Sequence, residues 1–96
     1  MAVYSISSIH VKDWDKYREY MELVPAIIEQ YGGRYLVRGG EIIADNTNWG
    51  LNRIVILEFP TIEQMDEFRN SSEYAPVASI RHEAADTVGF TVSNNE

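Results

Sequence analysis

Three arginines near the middle of the chain form the strongest candidate for a binding site. Arg34, Arg38 and Arg53 are three of only eight basic residues in the sequence. Residues 32–57 carry a net charge of +1, whereas the rest of the chain carries −8. A guanidinium group binds a carboxylate or phosphate through two parallel hydrogen bonds, so Arg38 is predicted to anchor a small anionic ligand, with Arg53 beside it. Ordinary ion pairs with acidic residues are the alternative for all three arginines.

Glu58 and His10 are the residues whose chemistry suits proton transfer. Glu58 lies in the apolar run 54–59, in phase with its two isoleucines. Burial there would raise the pKa of its carboxyl toward the range of a general acid or base. A buried pair between Arg38 and Glu58 would instead keep the carboxylate ionised. His10 ends a predicted strand, where it could titrate at the mouth of a cleft or simply lie on the surface.

Aromatic residues are predicted to wall the same site. Tyr17 and Tyr20 lie on a helical stripe with Met21, and they cannot both point straight into the core. One of the two is therefore predicted to edge toward a cleft, where it could donate a hydrogen bond to a ligand, and Tyr17 is assigned to the wall of the site, although core packing is the alternative for both. Trp49 lies in a glycine-containing loop and is predicted to act as a lid or dimer contact, with loop anchoring as the alternative.

The sequence contains no pattern for a metal or a cofactor. Its two histidines, His10 and His82, form neither an HxH nor an HExxH motif. The absence of cysteine excludes a thiol nucleophile, a disulfide scaffold and a cysteine zinc site. The pair Gly39-Gly40 does not complete a GxGxxG motif, so no dinucleotide site is predicted.

Hydrophobic periodicity indicates which elements must position these residues. A two-residue period predicts strands, and a period of three to four residues predicts helices. The predicted strands are 3–11, 34–38, 53–59 and 87–92, and the predicted helices are 13–31, a short one after Thr61 and a further one from about Glu73. Pro25 is expected to kink or split the first helix, because proline cannot donate to the Met21 carbonyl.

The second strand carries the arginines, so its faces matter for the site. Strict alternation places Arg34, Leu36 and Arg38 on one face, and Tyr35 and Val37 on the other. Gly39-Gly40 then predicts a bulge or sharp bend, after which the strand pattern resumes over 41–43.

The element order predicts a single α+β domain over residues 1–96. It is the ferredoxin-like βαββαβ arrangement, with an antiparallel four-stranded sheet and both helices on one face. Strand 53–59 is apolar on both sides, so the sheet face without helices would still be apolar. A second copy of the chain, packed sheet against sheet about a two-fold axis, would cover it.

Composition narrows the possible partners. Fifteen acidic residues against eight basic ones give a net charge of −7, which argues against nucleic acid or an anionic membrane as the main partner. The longest apolar run is six residues, and no targeting segment is evident, so a cytoplasmic location is expected.

A longer pattern gives a family resemblance. The segment GGRYLVRGGE at 32–41, followed by LEFP at 57–60 and SEY at 72–74, resembles the domain-of-unknown-function family DUF1330 of the dimeric α/β barrel superfamily. The resemblance implies a ferredoxin-like fold, a homodimer whose two sheets form a barrel, and a cleft in each subunit between sheet and helices. It implies no particular activity.

Together these observations predict a small homodimeric protein that binds a partly apolar anion in the sheet–helix cleft. Arg38 would anchor the anion, and Tyr17 and Trp49 would form walls of the site. Glu58 would polarise the ligand or form an ion pair with Arg38. If a reaction follows, acid–base or cofactor-free oxidative chemistry suits these groups. The alternative is a non-enzymatic homodimeric accessory module, in which the arginines are structural and the tyrosines belong to the core.

Overall fold

Four strands and three helices follow one another along the chain in the predicted ferredoxin-like order. The computed structural model describes residues 1–94. The elements are β1 (Val3–Val11), α1 (Trp14–Gln30), β2 (Arg34–Gly40), β3 (Arg53–Phe59), α2 (Ile62–Arg69), α3 (Tyr74–Ala84) and β4 (Ala85–Ser93). The second helical segment of the βαββαβ pattern is thus divided into α2 and α3, in agreement with the short helix predicted after Thr61 and the separate one predicted from about Glu73.

The strands form one antiparallel sheet in the order β2-β3-β1-β4. Residues of β1 alternate between its two faces, so Val3 and Ile9 pack into the core beneath the helices, whereas Tyr4 and Ile6 belong to the opposite face. We call these two faces the helix side and the outer face. Cross-strand partners share a face, so the register of β1 with β3 and β4 assigns a side to every paired residue.

Side-chain caps at the helix starts explain where α1 and α2 begin. The carboxylate of Asp13 accepts a hydrogen bond from the Lys16 backbone N–H at 3.2 Å, and the Thr61 hydroxyl accepts one from the Gln64 N–H at 3.1 Å. Helix α1 passes Pro25 without a break, so the predicted split does not occur. Buried residues on both sides of the proline hold α1 against the sheet and offset the one missing hydrogen bond.

Strand β2 departs from strict alternation, so the predicted faces of Val37 and Arg38 are wrong, whereas Arg34 and Tyr35 lie on opposite faces as predicted. Its pairing with β3 shifts between Tyr35 and Val37, so that Val37 lies opposite Ile56 and Arg38 lies opposite Val55. A bulge of one extra residue reverses the face of every side chain that follows it. Arg38 therefore lies on the helix side, opposite in face to Arg34.

A second register shift follows between Arg38 and Gly40, and it confirms the predicted glycine bulge. The predicted resumption of the strand over 41–43 is wrong, because residues 41–52 form an irregular loop. With Gly39 in a left-handed conformation at φ 80°, the chain leaves the edge of the sheet at this point.

Two groups of buried residues form the core on the helix side. The larger group surrounds Phe59 and Met65, both fully buried, where α1, α2 and α3 meet β1 and β3. The smaller group joins Ile9 and Tyr17 to the end of α3. Between the two groups, the central positions of β1 and β4 on the helix side carry only the small residues Ser5, Ser7 and Gly89.

The outer face remains apolar and partly open in the single chain. Val88 and Phe90 of β4 are 70% and 58% exposed, and Ile6, Ile54 and Ile56 beside them are half-buried. This arrangement agrees with the apolar second face predicted from the sequence.

Candidate functional site

A cavity of about 470 Å³ lies between the helix side of the sheet and the three helices. Its floor is formed by Ser5, Ser7 and Gly89. Because the serine side chains are small and glycine has none, they leave space that larger core residues would fill. Its walls include aromatic residues from α1, β2 and α3. We call this cavity the cleft.

The basic residues of the protein divide into two groups of four. Each member of the first group forms an ion pair with a carboxylate, and this group comprises Lys12, Lys16, Arg18 and Arg34. The members of the second group line the cleft: Arg38, Arg53, Arg69 and Arg81. No aspartate or glutamate lines the cleft, and within residues 1–94 none of these four arginines has a carboxylate within 4.0 Å. The free positive charge of the described chain is therefore concentrated in one place.

Arg38 is held in the cleft by two features of its neighbours. Its Nη2 donates a hydrogen bond to the Met21 carbonyl at 3.3 Å, and its guanidinium carbon lies 4.9 Å from the centre of the Tyr35 ring. The Met21 carbonyl is available because Pro25, four residues later, has no N–H to give it. The proline in α1 and the bulge in β2 thus act together to position this guanidinium.

Arg53 lies beside Arg38 and has few polar partners. Its guanidinium carbon is 5.8 Å from the centre of the Trp14 ring, and its Nη2 lies 3.5 Å from the Met21 sulfur, a weak acceptor. Its buried Nε has no hydrogen-bond partner within the described residues. A side chain at Gly39 would displace this guanidinium, and the positive φ there also favours glycine, so Gly39 allows Arg53 to keep its place.

Arg69 and Arg81 reach the cleft from the ends of α2 and α3. The Nη2 of Arg69 donates to the Thr91 hydroxyl at 3.0 Å and approaches the Ser5 hydroxyl at 3.5 Å. The Nη2 of Arg81 lies 3.0 Å from His82 Nε2, and arginine can only donate, so this imidazole nitrogen is the acceptor. The Nε of Arg81 is buried without a partner in the part of the chain described.

Neither Arg69 nor Arg81 is among the predicted site residues, although the sequence contains a signal for both. Arg81 continues the buried stripe of α3 seven residues after Tyr74, and Arg69 follows Met65 by four residues. A charged residue in phase with a buried stripe must either be paired or face a cavity.

Tyrosine hydroxyls supply hydrogen-bond donors along the walls. Tyr17 lines the cleft, and the hydroxyls of Tyr20 and Tyr74 lie 3.1 Å apart. Burial raises the pKa of Tyr35 to about 12 and also raises the pKa values of Tyr17 and Tyr20, although Arg53 partly offsets the effect on Tyr17. These phenols are neutral at physiological pH and can donate to a bound anion.

The structure brings together Arg38, Arg53 and Tyr17 of the predicted site, and it places the other predicted residues elsewhere. Glu58 lies on the outer face, where its Oε1 is 2.6 Å from Arg34 Nε. That guanidinium holds the pKa of the Glu58 carboxyl below its ordinary value, which is the reverse of the expected rise. The pairing of Glu58 with Arg38 is likewise not found.

His10 and Trp49 also lie outside the cleft. His10 is exposed at the end of β1, on the outer face. Trp49 is 74% exposed in the loop 41–52, where its backbone N–H contacts the Thr47 hydroxyl at 3.4 Å. Neither side chain lines the cleft.

Two further features concern metals and membranes. Within residues 1–94, no group of three or more His, Asp or Glu side chains is arranged to hold a metal ion. In the same residues no helix has the length and apolar character needed to cross a bilayer.

The sheet order and the cleft define a ferredoxin-like α+β protein with an arginine-lined cavity beneath its helices. The chain belongs to the family described as Domain of unknown function (DUF1330), whose profile matches residues 2–95. No curated protein matches the sequence.

Solved structures show the same fold at low sequence identity. A protein of unknown function from Rhodopseudomonas palustris is 14% identical with a TM-score of 0.78, covering 99% of this chain and 83% of that one. A dimeric ferredoxin-like protein of unknown function from Jannaschia sp. CCS1 is 9% identical with a TM-score of 0.73, covering 97% and 99%. SnoaB, a cofactor-independent oxygenase from Streptomyces nogalater, is 7% identical with a TM-score of 0.70, covering 99% and 94%.

Proposed function

We propose that this protein binds a small anionic molecule with an apolar or aromatic body in the cleft. The observation that carries the proposal is the set of four cleft arginines with no carboxylate among the lining residues. Arg53 and Arg81 are only partly exposed, and each has a buried Nε without a partner in residues 1–94. Burying part of a charged group without a partner is unfavourable, so a protein retains such groups where a ligand supplies the opposite charge. The planar guanidinium groups suit carboxylate or phosphate oxygens.

The remaining lining supports an apolar body for this ligand. Tyrosine rings and aliphatic side chains, among them Tyr20, Tyr35, Val55 and Leu57, surround the arginines. The volume of about 470 Å³ falls within the range of small-molecule sites, roughly 300–1,000 Å³. An inorganic anion alone would leave most of this surface without contacts.

We further propose that the bound ligand undergoes acid–base or oxidative chemistry in the cleft. One structural neighbour, SnoaB, is a cofactor-independent oxygenase. In this cleft a proton acceptor would have to be the His82 imidazole, after its Nε2 has left the hydrogen bond with Arg81, because no carboxylate lines the cleft and the raised phenol pKa values make the tyrosines donors. Glu58 and His10 would not touch a ligand held there.

We further propose that the protein is a homodimer and is located in the cytoplasm. The exposed side chains of Val88 and Phe90 make the outer face a poor surface to leave in water, and a second copy packed sheet against sheet would bury it. A solved protein of the same fold is described as dimeric. Light scattering should give twice the chain mass of 11.0 kDa, and a stable monomer at micromolar concentration would contradict this part.

The binding proposal is tested with benzoate and its neutral analogue benzamide, by calorimetry and thermal shift. We expect benzoate to bind and stabilise the native protein and benzamide to do neither. Arg38→Met, which keeps an unbranched stem, should lose at least about tenfold in benzoate affinity, or about 1.4 kcal/mol. Arg18→Met removes a surface arginine paired with Asp15 and serves as the matched control, with unchanged binding.

Two results would count against the binding proposal. Equal binding of benzoate and benzamide would show that charge plays no part, and equal affinities of the native protein and Arg38→Met would remove the anchor. A dimer that binds neither probe would favour the non-enzymatic accessory module, whose supporting observation is the apolar outer face.

A further inference from the structure

We infer that the ligand of the cleft carries two anionic groups, one at each end of an elongated aromatic or unsaturated body. This inference rests on the proposed function and adds the class of ligand to it. It follows from where the four cleft arginines lie along the strands of the sheet.

Arg69 marks one end of the cleft. The two hydroxyls that it contacts belong to Ser5 and Thr91, which face each other across β1 and β4. These contacts fix the guanidinium above the sheet at the level of Ser5. Hydroxyl groups carry no charge, so the positive charge of Arg69 remains available to a ligand.

Of the other three arginines, Arg38 lies between the two ends, and Arg53 and Arg81 mark the opposite end. Arg53 lies opposite Ile9 in the register, and Arg38 lies opposite Val55, whose partner on β1 is Ser7. Antiparallel strands rise about 3.4 Å per residue, so the level of Ser5 is about 7 Å from that of Ser7 and about 14 Å from that of Ile9.

Arg81 belongs to this second end as well. It lies one turn before Ala84, whose carbonyl accepts hydrogen bonds from the backbone N–H groups of Lys12 and Asp13, just beyond the end of β1. Ala84 also packs with Ile9 and Tyr17 in the smaller core group. The positive charge of Arg81 offsets part of the rise that burial causes in the pKa of Tyr17, as Arg53 also does, which agrees with a position near the Arg53 end.

The space between the two ends suits a flat, apolar body. The floor there is Ser7 and Gly89, and the wall above includes the rings of Tyr20 and Tyr74. A ligand with one anionic group could compensate the charge at one end only. A ligand with two groups separated by roughly 7–14 Å would reach Arg69 with one group and Arg38 or Arg53 with the other.

Matched pairs of probes that differ by one carboxylate test this inference by calorimetry. Terephthalate is compared with benzoate, and biphenyl-4,4′-dicarboxylate with biphenyl-4-carboxylate, so that one ring or two rings separate the charges. We expect at least one dianion to bind the native protein tenfold or more tightly than its monoanion. Arg69→Met should reduce that ratio to less than threefold and leave the affinity for the monoanion within twofold.

The controls distinguish failure of this inference from failure of the proposed function. Arg38→Met should weaken both members of the preferred pair, and Arg18→Met neither. If Arg38→Met weakens binding but dianion and monoanion bind alike, or if Arg69→Met leaves their ratio unchanged, the inference is overturned and the binding proposal stands. If Arg38→Met weakens neither probe, both are overturned. Should Arg69→Met fold poorly, Arg69→Gln provides the same readout with a polar side chain.

Discussion

Replacing Arg53 by methionine should make the protein more stable while weakening its binding of anions. Arg53 is half-buried on the helix side, its Nε has no partner within the described residues, and its Nη2 lies 3.5 Å from the weakly accepting sulfur of Met21. Methionine has a similar unbranched shape and can fill the space beside Trp14 without a charge. A residue retained for binding at a cost in stability is expected to behave in this way.

Two opposing effects set the size of the change in stability. Removing a buried donor that has no partner should recover about 1–3 kcal/mol. Losing the interaction of the guanidinium with the Trp14 ring should cost about 0.5–1 kcal/mol. The net expectation for Arg53→Met is a free energy of unfolding higher by about 1 kcal/mol, which corresponds to a melting temperature higher by about 4–8 °C for a domain of this size.

The assay is thermal unfolding followed by far-UV circular dichroism at one fixed protein concentration, together with calorimetry of benzoate binding. Arg34→Met is the matched control, because the same substitution there leaves the Glu58 carboxylate without its ion-pair partner and should lower the melting temperature. A melting temperature for Arg53→Met at or below that of the native protein would refute the reasoning. It would mean that the guanidinium stabilises the fold and that its place in the cleft is structural.

Three further predictions concern other parts of the molecule. Arg34 holds the pKa of Glu58 below its ordinary value of 4.5, so the stability that this carboxylate contributes is complete above pH 4.5 and is lost as the pH falls. The stability of the native protein should therefore exceed that of Glu58→Gln at pH 7 and approach it in acid, and a constant difference would contradict this. Burial raises the pKa of Tyr35 from 10.0 to about 12, so the stability due to its neutral phenol should be lost between these pH values. Absorbance at 295 nm should show one fewer late-ionising phenol in Tyr35→Phe, and identical titration curves would exclude the assignment. Phe90→Asp should convert the proposed dimer to a monomer in light scattering, whereas Ile43→Asp, at a side chain 95% exposed outside the sheet, should not. A dimer that survives Phe90→Asp would place the interface elsewhere.

The fold could be predicted because the hydrophobic periods of 2 and 3.6 are well separated in this sequence. The alternation over Val3–Val11 and the stripe of α1 each indicate one type of element, and glycine or proline stands at three of the six junctions between elements. The face of Arg38 could not be predicted. A bulge between Tyr35 and Val37 depends on how β2 pairs with β3, and no residue type at those positions requires it.

The position of Glu58 shows a different limit of sequence reasoning. The prediction that Glu58 shares a face of the sheet with Ile54 and Ile56 is correct, because all three belong to the outer face. Strand β3 is apolar on both faces, however, so its own pattern does not show which face the helices cover. The two cleft arginines that were not predicted, Arg69 and Arg81, could have been found from the sequence, because they lie in phase with buried helix residues. Their convergence on one cavity depends on how α2 and α3 pack over β4.

The separation of paired from unpaired basic residues has a consequence for the kinetics of binding. The chain has a net charge of −7, whereas the cleft contains four arginines without carboxylate partners among residues 1–94. An approaching anion is repelled at long range and attracted only within the cleft, so dissolved salt should speed its association by screening the exterior. The same salt should speed its dissociation by weakening the contacts inside. Long polyanions meet the same repulsion and are too large to enter the cleft, where Arg53 and Arg81 are partly buried, so the charge distribution favours anions small enough to enter.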